Sequence, residues 1–153
     1  MQKGILFLLA FVIVACSFIY PVDGHAGFSL FGQHKSVRDS NGEVMIPLTN
    51  INDGTAHYFV YKGNGKKIKF FVVKSTDGII RAAFDACDVC FPAKKGYSQQ
   101  GEFMICNNCG RKFYSTRINV EQGGCNPAPL HRKEQGGKLV IAAADILAGG
   151  RYF

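Results

Sequence analysis

The residues of this chain with the richest chemistry are its cysteines. Cys87 and Cys90 form one Cys-x2-Cys pair, Cys106 and Cys109 form a second, and Cys125 follows in the run Gly123-Gly124-Cys125-Asn126-Pro127. Two such pairs flanking residues 91–105 have the spacing of a metal site. A zinc or iron ion takes four soft thiolates in a tetrahedron, and each Cys-x2-Cys turn offers two sulfurs from one tight knuckle. Gly110 follows the second pair directly, and a glycine there accepts positive φ, which lets backbone N–H groups turn toward the sulfurs. The first pair has no such glycine.

Two other uses of these thiols stay open. If Cys16, the sixth cysteine, is removed or lipidated, the remaining five cannot all pair within the chain, so a disulfide reading leaves one thiol free. A thiol–disulfide exchange centre is the other. Its Cys-x2-Cys normally opens a helix, whose N-terminus lowers the thiol pKa. Cys106 instead follows Glu102-Phe103-Met104-Ile105, which reads as a strand running into a turn. Cys125 is a candidate fifth ligand, a redox partner of the other four, or a buried thiol. Gly123 and Gly124 would let its backbone approach the site closely.

The other polar residues carry weaker signals. His57 reads as an ordinary strand residue and His131 as an exposed loop residue. His25 and His34 fall in the leader region. Asp85 and Asp88 flank the first cysteine pair and read as solvated surface carboxylates, with local tuning of the metal charge as the alternative. Tyr58, Phe59, Phe70 and Phe71 read as strand and core. The sequence shows no nucleophile–base pair, phosphate loop or paired-carboxylate site.

The elements that must hold the cysteines read as short strands separated by turns. Val44–Ile46 is a strand ending at Pro47, and Asn52-Asp53-Gly54 is a turn. Ala56–Lys62 and Lys67–Lys74 flank Gly63-Asn64-Gly65, and Thr76-Asp77-Gly78 returns the chain into Ile79–Asp85. Asn-Gly and Asp-Gly turns between β-branched and aromatic runs are hairpin signals. Pro92–Gln100 reads as a polar loop, Gly101–Ile105 as the approach to the second knuckle, Lys112–Ser115 as its exit and Lys138–Ala142 as a final strand. No long helix is expected after the N-terminal segment.

At 153 residues, 47% of them hydrophobic, the chain has room for one domain with a real core. The net charge is +7, but the 18 lysines and arginines are scattered. They form no helical stripe and do not interleave with stacking aromatics, which argues against nucleic acid as a partner. Residues 1–26 read as a signal peptide or membrane anchor: Lys3 leads an apolar run from Ile5 to Tyr20, Pro21 breaks it, and Gly24-His25-Ala26 resembles a cleavage site. Lipidation at Cys16 and an uncleaved anchor remain alternatives. Each places the domain outside the cytoplasm, in the periplasm or on the outer face of the membrane. Residues 27–42 read as a linker and 43–153 as the domain.

The order of strands and cysteine loops resembles a Rieske domain. Ile46–Gly54 is similar to its opening strand and turn, Lys67–Ala83 to the hairpin before the first metal loop, and Cys106–Phe113 to the second metal loop. Gly123–Leu130 is similar to its Gly-Pro-Ala-Pro segment, and Gly137–Ile141 to its closing strand. The resemblance implies a mainly β, Rieske-like antiparallel sandwich with two metal-binding hairpin loops. Rieske centres use Cys-x-His and Cys-x2-His, whereas here Cys90 and Cys109 stand where histidines are expected. An all-cysteine [2Fe–2S] cluster on this frame would have a low potential, near the plant ferredoxin value of about −400 mV.

A more specific resemblance rests on Phe70–Ser75, Arg81–Cys90, Ile105–Gly110, Gly123–Leu130 and Gly150–Phe153. In these runs the chain resembles the membrane iron–sulfur-containing, FtrD-like proteins, in a stand-alone form. The resemblance implies an accessory protein of iron uptake that transfers electrons or handles metal rather than an enzyme. It also implies an iron permease and periplasmic iron- or copper-binding proteins as partners. Cys87, Cys90, Cys106 and Cys109 are the expected ligands, of an iron–sulfur cluster or a mononuclear iron. Zinc and copper are the alternatives. The leader carries no twin-arginine pair, the route by which folded cluster proteins are exported, so an ion loaded after export stays open. A structural-zinc interaction module and a thiol–disulfide oxidoreductase are the rival functions.

Overall fold

The computed structural model describes residues 34–153. Ten strands follow one another: β1 (Lys35–Val37), β2 (Glu43–Pro47), β3 (His57–Gly63), β4 (Lys66–Lys74), β5 (Ile80–Phe84), β6 (Tyr97–Gln100), β7 (Phe103–Cys106), β8 (Lys112–Tyr114), β9 (Lys133–Gln135) and β10 (Lys138–Ala142). A short helix α1 (Ala143–Ala148) and a 3-10 turn over Gly149–Tyr152 close the chain. The strands form three sheets, ordered β1-β3-β4-β5, β2-β10-β9 and β6-β7-β8. The fold is mainly β, as expected. Among the described residues no helix is long and apolar enough to cross a membrane.

The run Phe70-Phe71-Val72-Val73 explains how the sheets stack. Successive strand side chains point to opposite faces, and an unbroken apolar run belongs to a strand covered on both. Ile68, Phe70 and Val72 enter a core shared with Val44, Ile46, Leu139 and Ile141 of the β2–β10 sheet. Phe71 and Val73 enter a second core with Tyr97, Met104, Cys106, Cys87 and Cys125. The first sheet is thus the middle layer, and every residue of β5 is buried. Phe70 and Phe71 are both completely shielded from solvent. Truncating either to alanine would cost about 3–5 kcal/mol.

The hairpin turns match the expected ones. Asn64 and Gly65 both have positive φ (49° and 72°), the backbone that an Asn-Gly turn between twisted strands requires. Asp77-Gly78 turns β4 into β5, with Gly78 at φ 83°.

Three stretches differ from expectation. The sequence 27–42, read as a linker, contributes β1, which pairs in parallel with β3 (Lys35 opposite Phe59). Part of the polar loop 92–100 is β6, paired antiparallel with β7. Its Ser98-Gln99-Gln100 polarity suits an edge strand with one wet face. The second cysteine loop is a hairpin turn between β7 and β8, but the first joins β5 of the middle sheet to β6 of the outer one. The signal, anchor and lipidation readings concern residues outside those described.

Candidate metal centre

The two Cys-x2-Cys knuckles close in the same way. The Phe91 N–H donates to the Cys87 carbonyl at 3.3 Å, and the Gly110 N–H donates to the Cys106 carbonyl at 2.8 Å. In each, the residue after the second cysteine supplies the closing donor. Gly110 does so at φ 73°, the left-handed conformation anticipated for it. Within the first knuckle the Cys90 N–H points at the Cys87 sulfur, 3.1 Å away. Such N–H donors stabilise a thiolate.

Pairing across the sheet edge brings the knuckles together. Tyr97 lies opposite Cys106 in the β6–β7 register. The Asn107 N–H donates to the Gly96 carbonyl at 3.0 Å, and its side-chain amide donates to the Lys95 carbonyl at the same distance. The Asn107 side-chain oxygen accepts from the Ser98 hydroxyl at 2.8 Å. Asn107, inside the second knuckle, therefore ties it to the segment leaving the first.

Cys125 arrives by a third route. Residues 128–130 run beside β5: the Phe84 N–H donates to the Ala128 carbonyl, the Ala128 N–H to Ala86, and the Leu130 N–H to Ala82. That pairing aims the preceding turn, with Gly123 and Gly124 both at positive φ, toward the first knuckle. The Tyr97 hydroxyl donates to the Cys125 carbonyl at 2.6 Å in a buried position.

The outcome is a set of five thiols in two overlapping triads. The sulfurs of Cys87, Cys90 and Cys125 lie within 4.8 Å of one another, as do those of Cys90, Cys106 and Cys109. Cys90 belongs to both. The Cys90 and Cys125 sulfurs are 3.7 Å apart. With metal–sulfur bonds of about 2.3 Å, two sulfurs at the corners of one tetrahedron stand about 3.8 Å apart. Donor chemistry and spacing therefore fit a soft, thiolate-bound metal or an iron–sulfur cluster. Among the described residues, no histidine or carboxylate joins either triad. Cys87 groups with Cys90 and Cys125 rather than with Cys106 and Cys109, so Cys90 is the residue that links the two knuckles.

Exposure grades the thiols. Cys87, Cys106 and Cys125 are buried, Cys90 is partly covered and Cys109 is exposed. Burial pushes the Cys106 thiol up to about 11. At Cys109 the Arg111 backbone N–H favours the thiolate, and the pKa falls to about 7.

The second layer of the site was not legible as such. Asp85, read as a surface carboxylate, is 8% exposed. One oxygen accepts the Tyr97 N–H at 2.7 Å and the other meets His34 Nε2 at 3.1 Å. A buried carboxylate needs such partners, and they were far away in sequence. His34, assigned to the leader region, is one of them. Asp88 does sit at the surface, where it accepts from the Tyr152 hydroxyl at 2.8 Å. His57 remains a strand residue, bonded to Asp53 at 2.8 Å. His131 lies in neither triad.

The fold and the site define a mainly β protein with a cysteine-lined metal centre. Its sequence from 51 to 153 matches the family described as membrane iron-sulfur containing protein FtrD-like. The chain belongs to this FtrD-like family. No curated protein matches it. Among solved structures it is similar to the quaternary ammonium Rieske monooxygenase CntA bound to an inhibitor, at 12% identity and a TM-score of 0.44, over 76% of this chain and 33% of that one. The same enzyme bound to gamma-butyrobetaine gives 13% identity and a TM-score of 0.43, over 74% and 33%. The chain thus spans about a third of the length of these structures.

Proposed function

We propose that this protein is an exported electron carrier or metal handler of iron uptake, built around one thiolate centre. The observation that carries the proposal is the meeting of five cysteine sulfurs around Cys90. The family description supports iron–sulfur as the form of the metal. Cys87, Cys90, Cys106 and Cys109 would hold it, with Cys125 as an additional or exchangeable ligand. Such a cluster, when bound, supplies one-electron exchange at low potential.

The chain's own residues account for the remaining work. Buried Cys87 and Cys106 fix the centre against the second core, while exposed Cys109 reaches the surface. Val89, between the cysteines of the first knuckle, is 61% exposed and marks an apolar contact point at the same edge. The Tyr97 hydroxyl holds the Cys125 carbonyl, and Asp85 holds the Tyr97 backbone. This arrangement suits an outer face that meets a partner and an inner face that excludes water.

The inferred setting is outside the cytoplasm, beside an iron permease and periplasmic iron- or copper-binding proteins. Iron accumulation under iron limitation, compared between cells with and without the protein, tests this role. Lower accumulation, restored by the native chain but not by a Cys90→Ala chain, is expected. Equal accumulation in both cell types would remove the link to uptake.

A further inference from the structure

A cavity of about 390 Å³ borders the cysteine loops. That size is typical of sites for small molecules. Its walls include Lys66, Lys67 and Lys69 from β4 and Lys94 from the segment after the first knuckle. Cys87, Cys90 and Cys106 also line it, and Phe91 and Tyr152 supply apolar surface.

The charge in this cavity is lopsided. Asp85 is the one acidic side chain lining it. Both Asp85 oxygens are already engaged, by the Tyr97 N–H and by His34. Lys66 donates to the Gly150 carbonyl at 2.6 Å, which leaves its ammonium two further donors. Among the described residues, Lys67, Lys69 and Lys94 make no ion pair. Ammonium groups gathered around a concavity repel one another and focus a positive potential into it. Lys69 is half-buried, whereas Lys66, Lys67 and Lys94 are exposed.

We propose that this cavity binds a small polyvalent oxyanion, a polycarboxylate or a phosphate, beside the sulfur centre. The lysines supply charge-assisted hydrogen bonds from two separate elements, and the rings of Phe91 and Tyr152 cover the ligand's carbon or apolar edge. The nearby thiolates are a competing sink for the same positive charge. A site that used all of it internally would bind no anion.

Calorimetric titration of the protein as purified from cells tests this, with citrate in one arm and inorganic phosphate in the other, at low ionic strength. The titration reads anion binding whichever metal the sulfurs hold, so its failure is distinct from a failure of the iron–sulfur reading. Saturable binding in at least one arm is expected, and the arm that saturates identifies the ligand class. Lys69→Gln and Lys94→Gln should each weaken it by about tenfold or more. Lys138→Gln, at the exposed first residue of β10, should leave it unchanged. No saturable binding in either arm would overturn the proposal. So would an equal loss in Lys138→Gln, which would mark diffuse charge attraction. An acidic protein that binds this face while neither anion does would also contradict it.

Discussion

The Cys90 and Cys125 sulfurs lie 3.7 Å apart, although 34 residues separate them in the chain. A disulfide bond is about 2.05 Å long, so a small movement would join them. In metal-free protein, mild oxidation is expected to link Cys90 to Cys125 before any other pair. Peptide mapping by mass spectrometry reads the linkage. A dominant Cys106–Cys109 bond would show that Cys125 stands apart from the centre.

Tyr97 connects the second core to that cysteine. Tyr97→Phe keeps the ring but removes the donor to the Cys125 carbonyl, leaving a buried acceptor unpaired. A loss of about 1–3 kcal/mol in unfolding free energy is expected from denaturant titration. An unchanged midpoint would mean the bond contributes no net stability.

Gly96 has φ +64°, and a methyl group on its Cα would collide with the Asp85 carboxylate. Gly96→Ala must therefore strain the backbone and displace the group that anchors the Tyr97 N–H. Destabilisation of at least about 2 kcal/mol is expected, together with weaker metal retention. Thermal unfolding and metal content after dialysis measure the two effects. Native values for both would contradict the role given to Asp85.

Acid sensitivity should trace in part to Asp77. Its carboxylate receives two bonds from the buried Arg81 guanidinium, at 2.7 and 2.8 Å. The Arg81 pair holds its pKa below the usual 3.8. A carboxyl whose pKa is lowered by folding contributes stability that is full above the unfolded value and is lost as pH falls through the folded one. Melting temperatures between pH 2 and 5 should fall more steeply for the native protein than for Asp77→Asn. Parallel curves would exclude the pair as a source of acid sensitivity.

How much of this was readable beforehand depended on range. Asn64-Gly65 and Asp77-Gly78 announced their hairpins because turn chemistry is local. The Cys-x2-Cys pairs announced their knuckles for the same reason. β1 was hidden because Lys35-Ser36-Val37 carries no apolar alternation and pairs in parallel with a strand more than twenty residues away. β6 was hidden by its polar Ser98-Gln99-Gln100 run. The burial of Asp85 depends on His34 and on the Tyr97 backbone, contacts that no local spacing encodes. Cys125 was placed by its pairing with β5, and its glycines indicated only that a close approach was possible.

The proposed centre is an iron–sulfur cluster held by Cys87, Cys90, Cys106 and Cys109, with Cys125 as an additional or exchangeable ligand. Iron and acid-labile sulfide per chain, measured on the purified protein with its visible absorption spectrum, test it most directly. Stoichiometric iron and sulfide with sulfur-to-iron charge-transfer bands, all lost in Cys90→Ala, are predicted. A colourless protein holding a single zinc, or a metal-free one with reducible disulfides, would contradict it.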